Sequence, residues 1–367
     1  MPLKILAVVG ARPNFMKVAP LIWEARKRGG IDVRLVHTGQ HYDEKMSQQF
    51  FDELHLPRPD VNLEVGSGSH AVQTAEVMKR FEPVVLESRP DLVLVVGDVN
   101  STLACTLAAV KLLVPVAHVE AGLRSFDRTM PEEINRILTD VICDWLFVTE
   151  PSGVENLRKE GIPDERVHLV GNVMIDALVA CRPRIEASPI LDRLSLRRGR
   201  YAVLTLHRPA NVDEPETLRR LMGAVARLQH EMPFVFPVHP RTQRTMSVFQ
   251  KDGAMPNLRF TDPLGYLDFM KLLSHARLVL TDSGGVQEET TFLGVPCLTM
   301  RDNTERPVSV TEGTNRLVGL DPERIVREGL RALGSEKGPH RVPALWDGHA
   351  AGRVLDVLLG SAQQVQG

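Results

Sequence analysis

The chain carries no excess charge of either sign: 44 Lys+Arg against 46 Asp+Glu leave a formal −2 over 367 residues. No global basic field is available to hold nucleic acid, and no acidic tail is present. Aromatic residues are scarce, 5% with three Trp and three Tyr, which argues against a base-stacking surface. The four cysteines, Cys105, Cys143, Cys181 and Cys297, form no CxxC pair and each sits in an apolar stretch. They read as buried reduced thiols rather than a zinc site or a disulfide framework. No apolar run approaches the roughly 18 residues of a membrane-spanning helix. The N-terminus, Met1–Gly10, lacks a basic segment and a long apolar core and reads as a first strand rather than a signal peptide. A cytoplasmic protein without membrane association is the expectation. Hydrophobic residues at 43% and charged residues at 25% are ordinary globular usage, and the length suits two domains.

Short runs of Val, Ile and Leu without polar alternation recur at Ile5–Val9, Val33–His37, Leu92–Val96, Val116–Val119 and Leu146–Val148. Such runs predict central parallel strands covered on both faces. Amphipathic helical patterns lie between them at Phe15–Arg28, Ala71–Glu87, Ser101–Leu113 and Pro131–Val141. Proline followed by Glu132 and Glu133 suits a helix start. The rhythm breaks over Arg182–Arg200, which reads as a linker. It then resumes with strands at Tyr201–Thr205, Phe234–Pro237, Leu258–Phe260, Leu278–Thr281 and Pro296–Met300, helices between them, and a last helix at Ala350–Leu359. The expectation is an α/β chain of two Rossmann-like domains with parallel sheets, 1–182 joined by a C-terminal helix at 350–360, and 183–349. Ligands of such sheets bind beyond the carboxyl ends of the strands, so the expected site is the cleft between the domains.

The polar residues after each strand are therefore the ones to examine. Gly10-Ala-Arg12-Pro-Asn-Phe-Met-Lys17 follows the first strand. It is neither G-x-G-x-x-G nor G-x-x-x-x-G-K-[ST], which disfavours nicotinamide and P-loop chemistry. Arg12 alone reads equally as a surface arginine or as a cation placed for a phosphate. Asp98 alone suits a helix cap. Together, Asp98 and Glu120 end neighbouring strands and Glu132 opens the next helix, and three converging carboxylates are less easily dismissed. In the second half, His207 and His239 each end a strand, as structural histidines often do. Thr281-Asp-Ser283-Gly284-Gly285-Val-Gln-Glu-Glu289 runs from a strand through glycines into a helix. That pattern lets backbone N–H groups approach an oxyanion and reads as a phosphate cradle. Glu289, one turn on, is placed to accept from a ribose hydroxyl, and Arg306 follows the next strand.

Six motifs, in order from about residue 3 to 359, are similar to the non-hydrolysing UDP-N-acetylglucosamine 2-epimerases. They are Gly10-Ala-Arg-Pro13, Gly97-Asp98, His118-Val-Glu-Ala-Gly-Leu-Arg124, Pro131-Glu-Glu-Ile-Asn-Arg136, Asp282-Ser-Gly-Gly-Val-Gln-Glu-Glu289 and Arg301-Asp-Asn-Thr-Glu-Arg-Pro307. The resemblance implies a GT-B architecture, UDP held mainly by the second domain, and a homodimer. It also implies interconversion of UDP-GlcNAc and UDP-ManNAc, in cell-surface polysaccharide biosynthesis, with no metal or redox cofactor. By the same resemblance Asp98, Glu120 and Glu132 match acid/base carboxylates, and His207 and Lys17 match residues near the leaving group or sugar. Arg12, Ser283, Gly284, Gly285 and Arg306 match the diphosphate site, Glu289 the ribose site, Phe269 the uracil site, and Arg136 belongs to the substrate-binding set.

Two departures bear on specificity. Gln40 and His41, with His239, match part of a regulatory pocket, but Asp43 replaces a glutamine there and Gly66–His70 lacks an arginine. The loop Ser125–Met130 is similar to archaeal members and to relatives acting on UDP-2,3-diacetamido-glucuronic acid. That substrate, a hydrolysing 2-epimerase, a GT-B glycosyltransferase and a non-catalytic UDP-sugar sensor are the alternatives.

Overall fold

The computed structural model describes residues 2–40, 50–238, 242, 255–335 and 340–365. The chain divides into two compact units, Met1–Ala180 with Ala344–Gly367, and Cys181–Pro343.

In the first unit, β1 (Leu3–Val9), α1 (Arg12–Arg28), β2 (Ile31–His37), β3 (Val61–Asn62), α2 (His70–Ser88), β4 (Leu92–Val96) and α3 (Asn100–Lys111) are followed by five further elements. These are β5 (Val116–Ala121), α4 (Pro131–Ile142), β6 (Trp145–Val148), α5 (Pro151–Lys159) and β7 (Val167–Leu169). A last helix of this half, α6 (Val173–Glu186), begins here. The seven strands pair in the order β3-β2-β1-β4-β5-β6-β7, every pair parallel. All five residues of β4 are buried, as a doubly covered strand requires. Val77, Phe81 and Val85 of α2 and Ala104 and Ala108 of α3 pack with one set of strand residues. Leu21 and Ala25 of α1 pack with another set, together with the C-terminal helix, Ala350–Val365.

The second unit repeats the plan with β8 (Ala202–Thr205), α7 (Pro215–Leu228), β9 (Phe234–Pro237), β10 (Leu258–Thr261), α8 (Tyr266–Ser274) and β11 (Leu278–Thr281). It continues through α9 (Gly284–Leu293), β12 (Cys297–Thr299), β13 (Asn315–Leu317) and α10 (Pro322–Gly334). Its strand order is β10-β9-β8-β11-β12-β13, again parallel. In each unit the order reverses next to the first strand, between β1 and β4 and between β8 and β11. That is the switch point at which open sheets leave a crevice beyond the strand ends.

The stretch read from sequence as a linker is partly helical. α6 continues through Pro183 to Glu186, and a single turn follows at Ile190–Arg193. Among the described residues, no helix is long and apolar enough to cross a membrane.

Candidate active site

The crevice of the first unit is lined by buried charge. Lys17, on the second turn of α1, pairs with Glu120 at the end of β5, and both side chains are 6% exposed. Glu120 has φ +76°, a left-handed conformation rare for a residue with a side chain. The register slips between Val119 and Ala121, so a bulge re-aims the strand end at this position. The turn after β4 passes so close that glycine is required there. Gly97 has φ +67°, and a Cβ would lie 2.7 Å from Lys17 Nζ and 3.5 Å from Glu120 Oε2. Asn14 fastens the same corner. Its Oδ1 accepts from the backbone N–H of Gly10 and Ala11, each at 3.0 Å, and its Nδ2 donates to the Val96 carbonyl at 3.1 Å.

Asp98, about a quarter exposed, pairs with the buried Arg136 guanidinium. Arg136 also donates to Glu133 Oε2 at 2.6 Å. Glu132 and Glu133 adjoin at the start of α4 but differ in environment: Glu132 is exposed and Glu133 buried. Glu133 accepts from the N–H of Ser125 at 2.9 Å and of Phe126 at 2.8 Å, which closes the Ser125–Met130 loop onto the helix. Burial alone would raise its carboxyl; the Ser125 N–H and Arg136 outweigh that and hold it below the usual range. Glu133 is thus a structural carboxylate that no local signal distinguishes from Glu132 in sequence.

Gln40, assigned to the regulatory pocket, is buried, and its Oε1 accepts from Ser101 N–H at 3.1 Å and Ser101 Oγ at 2.7 Å. It ties β2's loop to the start of α3. His41, Asp43 and His239 lie outside the described residues, and of Arg12, which opens α1, only the backbone is described.

In the second unit, Asp282 at the end of β11 organises the strand ends. Its carboxylate accepts from the N–H of His207 at 3.1 Å, the N–H of Arg208 at 3.0 Å and Asn211 Nδ2 at 3.1 Å. It also lies 2.9 Å from His207 Nδ1. Burial would raise the carboxyl, but His207 and these N–H groups hold it at about 2. The Asp282 carboxylate thereby orients the His207 ring through Nδ1.

Ser283 then caps α9 without a side-chain hydrogen bond to the helix, and Gly284 and Gly285 form its first turn. A Cβ on Gly284 would lie 2.5 Å from Arg306 Nη1, so glycine lets the guanidinium rest on the helix start. Arg306 donates to Glu305 Oε1 at 2.7 Å and forms an ion pair with Glu288, Nε to Oε1 2.9 Å. Glu305 also receives Arg301 at 2.8 Å and Arg208 at 3.4 Å. Burial works against its charge, yet Arg306, Arg301 and Arg208 keep its carboxyl well below the usual range. Three arginines thus converge on Glu305, and one of them, Arg306, rests on the glycine-lined start of α9. Sequence reasoning found Arg306 and missed Glu305, whose role depends on groups up to 97 residues away.

Further along α9, Glu289 is buried, and burial together with the neighbouring Glu288 raises its carboxyl to about 8. Tyr266 of α8 lies near it, its phenol raised first by burial and further by Glu289. Among the described residues the buried Tyr266 hydroxyl meets no hydrogen-bond partner. Phe269, three residues on, is half-buried on the same helix. Among the described residues no group of three or more His, Cys, Asp or Glu could hold a metal ion.

Fold and sites together define a GT-B-type α/β protein with arginines gathered at a glycine-lined helix start in the second unit and clustered carboxylates in the first. The chain belongs to the UDP-N-acetylglucosamine 2-epimerase family, a family of isomerases, whose model matches residues 24–359. A UDP-N-acetylglucosamine 2-epimerase homolog of Methanococcus maripaludis is 46% identical over 88% of this chain and 91% of its own. The UDP-2,3-diacetamido-2,3-dideoxy-D-glucuronate 2-epimerase of Pseudomonas aeruginosa is 43% identical over 90% of this chain and 93% of its own. The crystal structure of the Methanocaldococcus jannaschii UDP-GlcNAc 2-epimerase, in complex with UDP-GlcNAc and UDP, superposes with a TM-score of 0.91. It is 40% identical and covers 97% of this chain and 99% of that one.

Proposed function

We propose that this protein is a non-hydrolysing 2-epimerase that interconverts UDP-GlcNAc and UDP-ManNAc. The observation that carries the reading is the division of labour between the units. The second holds arginines against a glycine-lined helix N-terminus, suited to a diphosphate. The first holds the Lys17–Glu120 pair and Asp98, suited to proton transfer at a sugar. The C2 proton of the sugar is not α to a carbonyl, so direct abstraction is prohibitive. Breaking the anomeric C–O bond first, with the electron pair leaving on UDP, makes that proton acidic. A carboxylate takes it and 2-acetamidoglucal forms. UDP then adds back to C1 while a proton arrives at C2 from the opposite face.

In this scheme Ser283, Gly284, Gly285, Arg306 and Arg12 stabilise the departing diphosphate. Glu289 receives the ribose and Phe269 the uracil. His207, oriented by Asp282, and Lys17 stand near the leaving group and sugar. Asp98, Glu120 and Glu132 are the acid/base groups, with Arg136 holding Asp98. The chemistry requires no metal or redox cofactor. The relationship to the Pseudomonas enzyme supports a second reading, in which the sugar is the 2,3-diacetamido-glucuronate. Turnover of the two UDP-sugars, compared side by side, separates the readings.

Arg306→Ala leaves Glu305 and Glu288 without their shared cation and removes a charge-assisted contact. UDP affinity is expected to fall by about 1.5–3 kcal/mol, read by calorimetry. Unchanged affinity would place the diphosphate elsewhere.

We also assign the protein to the cytoplasm and to a homodimer. The neighbouring helices α2 and α4 leave Leu86, Leu138 and Val141 exposed, and the turn after α3 leaves Leu113 exposed, apolar side chains suited to a second copy. Light scattering should report twice the chain mass, and Leu138→Asp with Val141→Asp should shift it toward the monomer; a parent that is monomeric at micromolar concentration would refute this. Activation by a second UDP-GlcNAc is expected to be weak, because the sequence has the acidic Asp43 where the family's regulatory pocket has a glutamine. The reverse reaction from UDP-ManNAc should then start without a lag.

A further inference from the structure

We propose that Asp140, on the buried face of α4, is the positioning residue that sets Asp98 and Glu120 relative to one another. The proposal deepens the epimerase reading above and rests on it for its effect on turnover. Asp140 is fully buried, and each of its oxygens is engaged. Oδ2 accepts from the N–H of Gly122 at 3.0 Å, two residues beyond Glu120. The same oxygen meets Arg124 Nη1 at 2.7 Å. Oδ1 meets His118 Nδ1 at 2.7 Å, and the other ring nitrogen, Nε2, donates to the Gly97 carbonyl at 2.8 Å. Gly97 is the residue before Asp98, and its own N–H donates to the Val119 carbonyl at 3.0 Å.

One carboxylate therefore holds both corners on which the proposed acid/base groups stand. It fixes the bulged segment after β5 directly and the turn after β4 through the imidazole. The load is real on the Glu120 side, where a residue with a side chain is kept at φ +76° and needs its surroundings to hold it there. Arg124 extends the assembly outward to Glu160, which it grips with Nε at 2.8 Å and Nη2 at 2.7 Å.

The hydrogen positions follow from the acceptors. His118 is completely buried and both its ring nitrogens face oxygen acceptors, so both must carry hydrogen for both bonds to exist. Arg124 sets a fixed positive charge against Asp140 and reaches outward to Glu160, so the buried carboxylate is not left uncompensated. Burial alone would raise the Asp140 carboxyl, but His118 and Arg124 outweigh it and hold it below the usual range, consistent with an ionised centre. None of these four residues needs to touch the sugar. Their contribution is geometric, and a misplacement of about 1 Å at a catalytic group is enough to cost on the order of 10²-fold in rate.

The test has two arms. Low-field proton NMR of the ligand-free protein should show a strongly deshielded resonance from the His118 Nδ1 hydrogen, lost in Asp140→Asn and in His118→Gln. This arm uses no substrate, so it judges the buried pair even where the proposed sugar nucleotide is wrong. In the second arm, Asp140→Asn should lower kcat by roughly 10²-fold. UDP affinity should stay within about twofold, since every residue assigned to UDP except Arg12 lies in the other unit from Asp140 and the groups it holds. Rates are expressed per UDP-binding site, so loss of folded protein does not register as loss of kcat. Should Asp140→Asn fail to fold, His118→Gln and His118→Ala carry the test. The glutamine can still donate to the Gly97 carbonyl and should retain several-fold more kcat than the alanine at similar KM. A parent without the resonance, Asp140→Asn with parental kcat, or equal rates in the two His118 variants would overturn the proposal.

Discussion

Glu120→Gln is expected to retain no more than about one hundredth of the parental turnover, the usual scale of an acid/base contribution. The amide keeps the shape of the side chain and removes its capacity to take a proton. It also leaves the buried Lys17 ammonium without its counter-charge. Removing one partner of a buried pair typically costs about 3–5 kcal/mol, so a lower melting temperature should accompany the loss. UDP affinity is the control, because every residue assigned to UDP except Arg12 belongs to the other unit. Asp98→Asn should behave alike with a smaller loss of stability, its side chain being about a quarter exposed. Glu132→Gln should lower turnover with almost no change in melting, since Glu132 is exposed. Parental turnover in all three variants would remove the acid/base set.

Glu289→Gln is expected to raise thermal stability while weakening UDP. The sign follows from the carboxyl standing at about 8 in the folded chain against an ordinary value of 4.5. Between those values the folded state binds a proton that the unfolded state does not. Stability is therefore lost as pH rises above 4.5, and the full cost applies above about 8. The difference corresponds to a ceiling on the order of 5 kcal/mol. The glutamine variant should melt higher than the parent at pH 8.5 and nearly with it at pH 4.5. A ribose hydroxyl donating to the carboxylate favours its ionised form, so UDP binding near neutral pH should release a proton. Calorimetry in buffers of different ionisation enthalpy reads that release, which the variant should lack. Its UDP affinity should fall roughly 10- to 100-fold, the range of a hydrogen bond to a charged group. A variant less stable than the parent at pH 8.5, or one that binds UDP unchanged, would contradict this placement.

The parts of the structure legible in the sequence are those set by local pattern. The apolar runs of β1, β4, β5 and β11 and the proline-led start of α4 need only nearest neighbours to be recognised. The two- and three-residue strands β3, β7 and β13 are too short to show a period and exist because a neighbouring strand pairs with them. The helix through Pro183 was hidden for a related reason: scattered arginines and prolines mask a face that packing alone reveals. The same division runs through the site. Gly284 and Ser283 announce themselves by a strand-glycine-helix pattern, and Asp98 and Glu120 by their place after strands. Glu305, Asp282 and Asp140 do not, because their partners lie on other strands and helices. Adjacent Glu132 and Glu133 are identical in sequence terms and differ in the folded chain only because Ser125, Phe126 and Arg136 close over one of them.

The most direct test of the account follows UDP-GlcNAc by proton NMR in heavy water with the parental protein. The elimination route predicts UDP-ManNAc appearing with deuterium at C2, and deuterium entering C2 of the remaining UDP-GlcNAc as equilibrium is approached. It also predicts no accumulation of free sugar. Epimerisation with the C2 proton retained, or release of free ManNAc and UDP as the only products, would contradict it.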